Sequence, residues 1–493
     1  MYFLIKACYN FLRVSFATII LLAAVGQMRA ATYYVDNSAG SDSNNGNSTA
    51  SPWKLCPGMT GFAGAYTHAP GDIFVFRGGV GWSNSVFPLL VNLGGGSVGN
   101  NDVYTSYTNW FIGSSWHRPV FDLQDLLISG GIHSCVYVTD NNVTVSDIEI
   151  RNLLIPNSSG WNAYGVASIQ GFQMTSNLLV QNCYIHDWLP GIPTNNVNGS
   201  DTDFGGVFTQ GANLVVLGCT IGPGLAPKGM TGGSGTGIAN AAMIQSNTIF
   251  GCSVMANGGA TNISHNIFRN GTNSYDPTYH CNVLFHPNGS NCTNYIYDNV
   301  IHDMDTTFQT MMIIPGWYGA TNATYYIYNN VIWNVSSPVD IDESGIGVPN
   351  SFTVTHVFNN TMVGVGVGAI LRNQPYNLTE IDCENNLWIN SGPLNPFMTA
   401  LITTAYAPVV TRVDLDNITM TSSLAAIAGY TLANIYAPIS ISSPTVGLGT
   451  NLTSLAIFNT DINGNPRPSS GNWDAGAYEM LLSPPRNFKA FMP

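Results

Sequence analysis

The most acidic short stretch of the chain is VDIDES, in which Asp340 and Asp342 are followed directly by Glu343. If this stretch forms a strand, the two aspartates share one face and lie roughly 6.5–7 Å apart. Such a separation suits the carboxylate pair of an inverting glycosidase. The same three residues could instead supply oxygen ligands to Ca²⁺, the one cofactor that the sequence suggests. A third interpretation is a solvated strand edge that ends in a turn.

Further polar residues belong to segments with the same alternating pattern. Eight such segments are predicted to form the strands of one outer face: 164–170, 205–211, 235–241, 252–258, 281–288, 309–316, 337–345 and 368–374. His286 and Asn373 alternate with apolar residues, and Arg372 lies beside Asn373. Arg372 could accept a proton from the substrate or anchor a uronate carboxylate. The predicted catalytic residues are Asp340, Asp342, Arg372 and His286, and the predicted substrate-binding residues are Glu343, Asn373, His280 and Trp317.

Two of the substrate-binding predictions have plainer alternatives. His280 lies in SYDPTYH, a segment that is also typical of an ordinary turn. Trp317 could stack on a sugar ring or could pack beneath a loop. The sequence does not separate these possibilities.

One short sequence motif, called the recurring phrase below, repeats along the chain. It indicates which strands and turns carry the candidate site residues. VQNCYIHDW, IYDNVIHDM and IYNNVIWNV are three of its copies, each with a polar pair between two apolar alternations. The copies follow one another at irregular intervals, which fits coils with fixed strands and variable loops rather than helical repeats. The second residues of the polar pairs are Cys183, Cys219, Asn247, Asn266, Asn299, Asn330, Asn360 and Asn386.

This repeat predicts coils of short parallel strands that stack about 4.8 Å apart over one shared core. Asn at the same turn of each coil would bond to the Asn above and below it and form a buried ladder. Cys183 and Cys219 would replace Asn as small buried side chains. His302 and Asp303 occupy the same columns as the His–Asp pair of VQNCYIHDW, so we expect a strand end and a turn rather than a catalytic pair.

Composition restricts the classes of partner. Only 8% of the 493 residues are charged, the formal net charge is −13, and there are 14 basic residues. Because phosphate binding requires clusters of Lys and Arg, nucleic acid is not an expected partner.

The N-terminal residues are typical of a secretory signal. Lys6 and Arg13 precede the apolar run VSFATIILLAAVG, which is short for a membrane span. An uncleaved anchor is the alternative. The eight cysteines that follow the signal would permit disulfides after export, but they show no metal-binding spacing, and buried thiols explain them equally well.

Three segments carry a family resemblance. They are the start TYYVDNSAG at 32–40, APGDIFVFRGGVGW at 69–82, and DINGNPRPSSGNWDAGAYEM at 461–480. The chain resembles secreted right-handed parallel β-helix proteins of the pectate-lyase-like class. This resemblance implies an all-β, right-handed parallel β-helix solenoid with capped ends. The class contains lyases, hydrolases, epimerases and proteins without assigned chemistry, so the fold does not decide the activity.

The resemblance also implies an organisation of the chain. We expect a signal peptide at 1–30, an N-terminal cap and first coils at 31–125, β-helix repeats at 126–400, last coils and a C-terminal cap at 401–480, and a tail at 481–493. Because open strand edges invite aggregation, the first of these caps should cover the first coil and 461–480 should close the last. Asp474 and Glu479 should contact Arg467.

The expected function is that of an exported, monomeric carbohydrate-active protein. It would be a polysaccharide lyase or glycoside hydrolase that acts on an extended glycan across the outer strand face, without membrane attachment after signal cleavage. Arg372 and Lys228 are candidate bases, but no basic pair at lyase spacing and no paired-aspartate signature of polygalacturonases is present. A non-catalytic glycan-binding or adhesive β-helix at the cell surface is therefore the alternative.

Overall fold

The structure, a computed structural model, contains three long parallel sheets that surround one apolar core. The residues that it describes are 29–156, 166–190, 205–226, 235–258, 261–272, 282–285, 291–305, 309–313, 322–335, 337–342, 353–364, 370–373, 378–390 and 411–480. Residues 1–28 of the predicted signal peptide and the whole predicted C-terminal tail lie outside these residues. No helix within them is long and apolar enough to cross a membrane.

Sheet 1 contains 13 strands within the described residues. In chain order they are Thr32–Val35, Ile73–Phe76, Asp102–Thr105, Val143–Ser146, Leu178–Gln181, Val215–Leu217, Met243–Gln245, Asn262–Ser264, Thr293–Tyr297, Ala323–Tyr328, Thr353–Phe358, Leu378–Glu384 and Thr411–Leu415.

Sheet 2 contains 12 described strands. They are Gly81–Ser83, Val120–Asp122, Glu149–Arg151, Tyr184–His186, Thr220–Ile221, Thr248–Phe250, Ile267–Arg269, Val300–His302, Val331–Val335, Thr361–Gly364, Leu387–Asn390 and Ile418–Thr421.

Sheet 3 contains 10 described strands. They are Leu89–Val91, Val136–Val138, Ile169–Gly171, Val207–Thr209, Thr236–Ala239, Val254–Asn257, Asn282–Phe285, Gln309–Ile313, Ser337–Asp342 and Ile370–Asn373. The remaining described elements are a strand pair, Leu154–Ile155 with Leu189–Pro190, an α-helix, Ser422–Ile427, and the 3₁₀ turns Asn84–Val86, Leu432–Asn434 and Thr453–Leu455.

From Ile73 to Asn373 each coil passes through sheets 1, 2 and 3 in turn, and each strand pairs in parallel with its equivalent in the next coil. The protein is therefore a right-handed parallel β-helix, and the predicted fold class is confirmed. All eight segments that the sequence analysis aligned as an outer strand face contain strands of sheet 3. The strands Leu89–Val91 and Val136–Val138, which precede them in this sheet, were not predicted.

The recurring phrase forms the corner between sheets 1 and 2. Its first polar residue adopts the left-handed conformation that Asn and Asp tolerate, for example Asn329 at φ 54°. Its second polar residue turns inward and joins the predicted ladder, which is confirmed. From Asn247 to Asn417, each amide nitrogen lies 2.8–3.1 Å from the amide oxygen of the next coil. Asn417 extends the ladder by one coil beyond the predicted set.

Cysteines continue the ladder column as predicted. The thiols of Cys183 and Cys219 are buried, and each lies 3.6 Å from a carbonyl oxygen of the preceding coil, that of Val145 or Val180. Neither residue forms a disulfide. The structure thus supports the interpretation of these two cysteines as small buried side chains.

His302 and Asp303 form a strand end and a turn, as predicted. His302 ends a strand of sheet 2 and stacks on Trp333 with ring centroids 4.4 Å apart, and Asp303 follows at φ 57°. The two side chains also contact each other, with Nδ1 and Oδ2 separated by 2.8 Å.

The N-terminal end of the core is covered by the segment that follows the first strand. Trp53 is fully buried there and stacks on Tyr33, with ring centroids 4.7 Å apart. Thr32–Val35, which belongs to the predicted cap, is itself a strand of the first coil.

The predicted contacts near the C-terminus are present. Arg467 Nη1 lies 3.0 Å from Glu479 Oε2, and it donates to the carbonyl oxygen of Asp474 at 3.3 Å. This arginine is almost completely buried.

The position of this segment differs from the expectation that it closes the last coil. Residues 445–480, here called the C-terminal clasp, return along the corner between sheets 1 and 2. Asn329 accepts a hydrogen bond from Arg467, and Asn359 donates to the carbonyl oxygen of Asp474 at 2.9 Å. Phe458 stacks on Tyr328 at 4.5 Å. The left-handed Asn residues carry outward amides that need partners, and the clasp supplies them along several coils.

Candidate functional site

The backbone positions of the predicted aspartates are defined. Asp340 and Asp342 lie on Ser337–Asp342, which is paired on both sides, with Gln309–Ile313 and with Ile370–Asn373. The strand is therefore not an edge of the sheet.

The register of sheet 3 shows which residues are neighbours. Asp340 pairs with Met312 and Leu371, and Asp342 pairs with Asn373. Arg372 pairs with Ile341, so it is one position out of phase with both aspartates. Val339 is fully buried, and strand alternation assigns positions 340 and 342 to the opposite face of the sheet.

The side-chain geometry of the predicted site is outside what the structure describes. This applies to the side chains of Asp340, Asp342, Arg372 and Asn373, and to the whole of His286, Glu343, His280 and Trp317. Lys228 also lies outside the described residues. The convergence of these groups and the Ca²⁺ site therefore stay predictions.

The described residues bring a different group together on the outer face of sheet 1. His356 pairs in register with Asp382, and Glu380 precedes Asp382 by two positions on the same strand. One potential ligand atom from each of the three side chains lies within 4.8 Å of the others. His356 Nδ1 is 3.4 Å from Asp382 Oδ2. With Glu384, these residues are called the His356 cluster below.

The His356 cluster is crowded with negative charge. The pKa of Glu384 is raised to about 7, chiefly by burial and then by the charge of Asp382 and the hydrogen bond with it, while His356 opposes the rise. Asp382 is mostly buried, and its Oδ1 is inaccessible to solvent and has no hydrogen-bond donor while Glu384 is ionised. The cluster can therefore hold a proton near neutral pH, or it can accept a cation.

Aromatic rings fix the orientation of His356. The rings of Tyr295, Tyr326 and His356 stack along consecutive coils, with centroid separations of 5.5 and 4.7 Å. Because the rings lie face to face, the face of Tyr326 is not free to stack on a sugar. The stack holds the imidazole beside the carboxylates.

The sequence analysis missed this cluster, although the repeat contained a signal for it. His356 precedes ladder residue Asn360 by four positions, and Asp382 precedes Asn386 by the same number. Counting back from the ladder therefore assigns His356 and Asp382 to one column. The alternation of acidic residues in EIDCE also indicates that Glu380, Asp382 and Glu384 share a face.

Comparison with known proteins gives no family assignment. No family model and no curated protein sequence matches the chain. Solved structures with a similar backbone path include a rhamnogalacturonan lyase. It has 13% sequence identity over 90% of this chain and 96% of that chain, with a TM-score of 0.43.

Two other similar structures differ in kind from this lyase. A GH136 lacto-N-biosidase from Eubacterium ramulus has 13% identity over 79% of this chain and 68% of that chain, with a TM-score of 0.42. PfbA, a surface adhesin of Streptococcus pneumoniae, has 12% identity over 64% of this chain and 80% of that chain, with a TM-score of 0.32. At these identities and TM-scores, none of the three assigns an activity to this protein.

Proposed function

We propose that the protein is an exported carbohydrate-active β-helix that acts on an extended glycan lying across the outer face of sheet 3. The observation that carries this proposal is the position of Asp340 and Asp342 on a strand that is paired on both sides. Their register neighbours Met312 and Leu371 are apolar. Strand alternation assigns both aspartates to the outer face of sheet 3, where two carboxylates at alternate positions could act as a pair on a glycan.

The two aspartates support two kinds of glycan chemistry. In a glycoside hydrolase, one carboxyl group would protonate the leaving oxygen while the other activates water. In a polysaccharide lyase, Asp340, Asp342 and Glu343 would hold Ca²⁺ against a uronate carboxylate. Arg372, the predicted base, is in register with Ile341 and so belongs to the opposite face of its strand, which counts against its role as the proton acceptor. His286 would assist either reaction, and Asn373, His280 and Trp317 would bind the sugar units.

Charge distinguishes the two chemistries. With a net charge of −13, the protein repels a polyanionic glycan unless a cation intervenes. Arg77 and Arg151 do not supply that cation, because Arg77 is paired with Asp36 and Arg151 with Asp122 and Glu149. A lyase reaction on this chain should therefore depend on added Ca²⁺, whereas hydrolysis of a neutral glycan should not.

The experiment is a panel of neutral and uronate-containing polysaccharides, assayed for new reducing ends and for the absorbance of unsaturated uronides, with and without chelator. Replacing both aspartates by Asn (Asp340→Asn with Asp342→Asn) should lower turnover by about 100-fold or more without unfolding the protein. Asp303→Asn is the matched control, since it makes the same change at an exposed turn on sheet 2 and should leave turnover unchanged.

Two results would count against this assignment of the site. One is full turnover in the double aspartate variant, and the other is loss of turnover in Asp303→Asn with the fold intact. The second candidate function is glycan binding without catalysis, which the low charge and the missing lyase and polygalacturonase motifs favour. That alternative would be supported if the wild type binds a glycan but produces no new reducing ends and no unsaturated uronides from any polysaccharide of the panel.

A further inference from the structure

We propose that the His356 cluster is a binding site for a divalent transition-metal ion of the zinc class, distinct from the proposed glycan face on sheet 3. The three ligands would be Nδ1 of His356 and one carboxylate oxygen each from Glu380 and Asp382. This inference does not depend on the proposed function.

The donor atoms are already gathered by the backbone. His356 and Asp382 are direct register partners on Thr353–Phe358 and Leu378–Glu384, and these strands pair over six positions. Glu380 is two residues before Asp382, so the pleat returns it to the same face. All three donor atoms lie within 4.8 Å of one another. Only small side-chain adjustments are needed for one ion to contact all three.

The site also has a buried carboxylate oxygen that lacks a donor when the neighbouring Glu384 is ionised. Asp382 Oδ1 is inaccessible to solvent and accepts no hydrogen bond in that state, although a buried carboxylate oxygen normally has a partner. Oδ2 of the same group faces His356 at 3.4 Å, which is longer than an ordinary charge-assisted hydrogen bond. A cation bound beside Asp382 would satisfy this carboxylate and offset the negative charge that Glu380 and Glu384 add.

The donor set determines the class of ion. Imidazole nitrogen suits Zn²⁺ and its neighbours in the first transition series, whereas Ca²⁺ takes six to eight oxygen ligands. One nitrogen and two carboxylates give three protein ligands, so a tetrahedral ion would keep one position for water. The stack of His356 on Tyr326 fixes the ring plane, and binding through Nδ1 would require the tautomer that carries its proton on Nε2.

The test uses the mature protein, stripped with chelator and then titrated with ZnCl₂ or CaCl₂ by calorimetry, with metal content measured after dialysis. We expect one Zn²⁺ per chain and at least about 10-fold weaker binding of Ca²⁺. Asp382→Asn and His356→Phe should each weaken Zn²⁺ binding by about 10-fold or more. The second variant keeps an aromatic ring on Tyr326 but removes the nitrogen, and circular dichroism verifies that both variants fold.

His302→Phe is the matched control for the histidine variant. His302 also stacks on an aromatic ring and contacts a neighbouring aspartate, but it belongs to no described group of three metal-ligating side chains. Its replacement should leave Zn²⁺ binding unchanged. The proposal is overturned if the wild type takes up no Zn²⁺, if Ca²⁺ binds more tightly than Zn²⁺, or if folded Asp382→Asn and His356→Phe bind Zn²⁺ as the wild type does.

Discussion

Replacing Asn330 by Leu tests the internal ladder most directly. The Asn330 amide nitrogen donates to the Asn360 side chain and to the Ile296 carbonyl, both at 2.9 Å. Its oxygen accepts from the Asn299 backbone N–H at 3.1 Å and from the Asn299 amide at 2.9 Å. Leu has a similar volume but offers none of these groups, so the substitution separates hydrogen bonding from packing.

The magnitude follows from which groups lose a partner. The Asn299 amide keeps its bond to the Ile263 carbonyl, and the Asn360 oxygen keeps the Asn330 backbone N–H. The buried Asn299 N–H and the Ile296 carbonyl lose the bonds that Asn330 supplied. At about 1–3 kcal/mol for each of these two unsatisfied buried groups, Asn330→Leu should reduce the free energy of unfolding by roughly 2–6 kcal/mol.

The assay is urea unfolding together with hydrogen exchange, since a solenoid can open locally before it unfolds globally. Asn330→Cys is the matched variant, because the chain itself uses Cys at two ladder positions, and its cost should be clearly smaller than that of Leu. Exchange should accelerate first at Asn299 and in the adjacent coils. An Asn330→Leu protein with unchanged unfolding free energy and unchanged protection at Asn299 would refute the energetic role of the ladder.

Two further predictions concern the ends of the chain. Burial and the charge of Asp474 raise the pKa of Glu479 to about 7, above the unfolded value, so the docked C-terminal clasp holds an extra proton between roughly pH 4.5 and 7. The stability of the docked clasp should therefore fall as pH rises through that window. Hydrogen exchange of 445–480, corrected for the intrinsic rate, should be faster at pH 8 than at pH 5. Glu479→Gln should reduce this difference between the two pH values. Trp53→Ala should lower the free energy of unfolding, measured in urea, by about 3–5 kcal/mol, because it leaves a cavity at a fully buried position over the first coil. An unchanged midpoint of urea unfolding would contradict the role of Trp53 in covering this coil.

The sequence was most informative where one residue type must recur at one structural position. The ladder Asn is buried and has the same partners in every coil, so it recurs as a visible column, and aligning on it located the strands on both sides. The strands of sheet 3 lie further along each coil, beyond loops of variable length. Even so, their apolar alternation identified eight of them, because one face of every strand must join the same core.

The C-terminal clasp could not be predicted in this way. Its place depends on which outward amides remain unpaired after the coils have stacked, and that is decided by the tertiary structure rather than by any local pattern. Arg467 contacts Asn329, which is 138 residues earlier in the chain. The acidic residues around Arg467 were predicted to contact it because the motif places them close in sequence, whereas the surface that they cover has no such local signal.

The same reasoning explains why the His356 cluster escaped detection while VDIDES did not. Asp340, Asp342 and Glu343 are nearly contiguous, so they stand out in the printed sequence, whereas His356 and Asp382 are 26 residues apart and meet only through strand pairing. In a parallel β-helix, side chains that can act together are separated by one coil, and the ladder gives the offset that aligns them. A search for chemistry in such a chain is therefore best made down the columns of the stack, where charged groups without a neutralising partner are candidates for function.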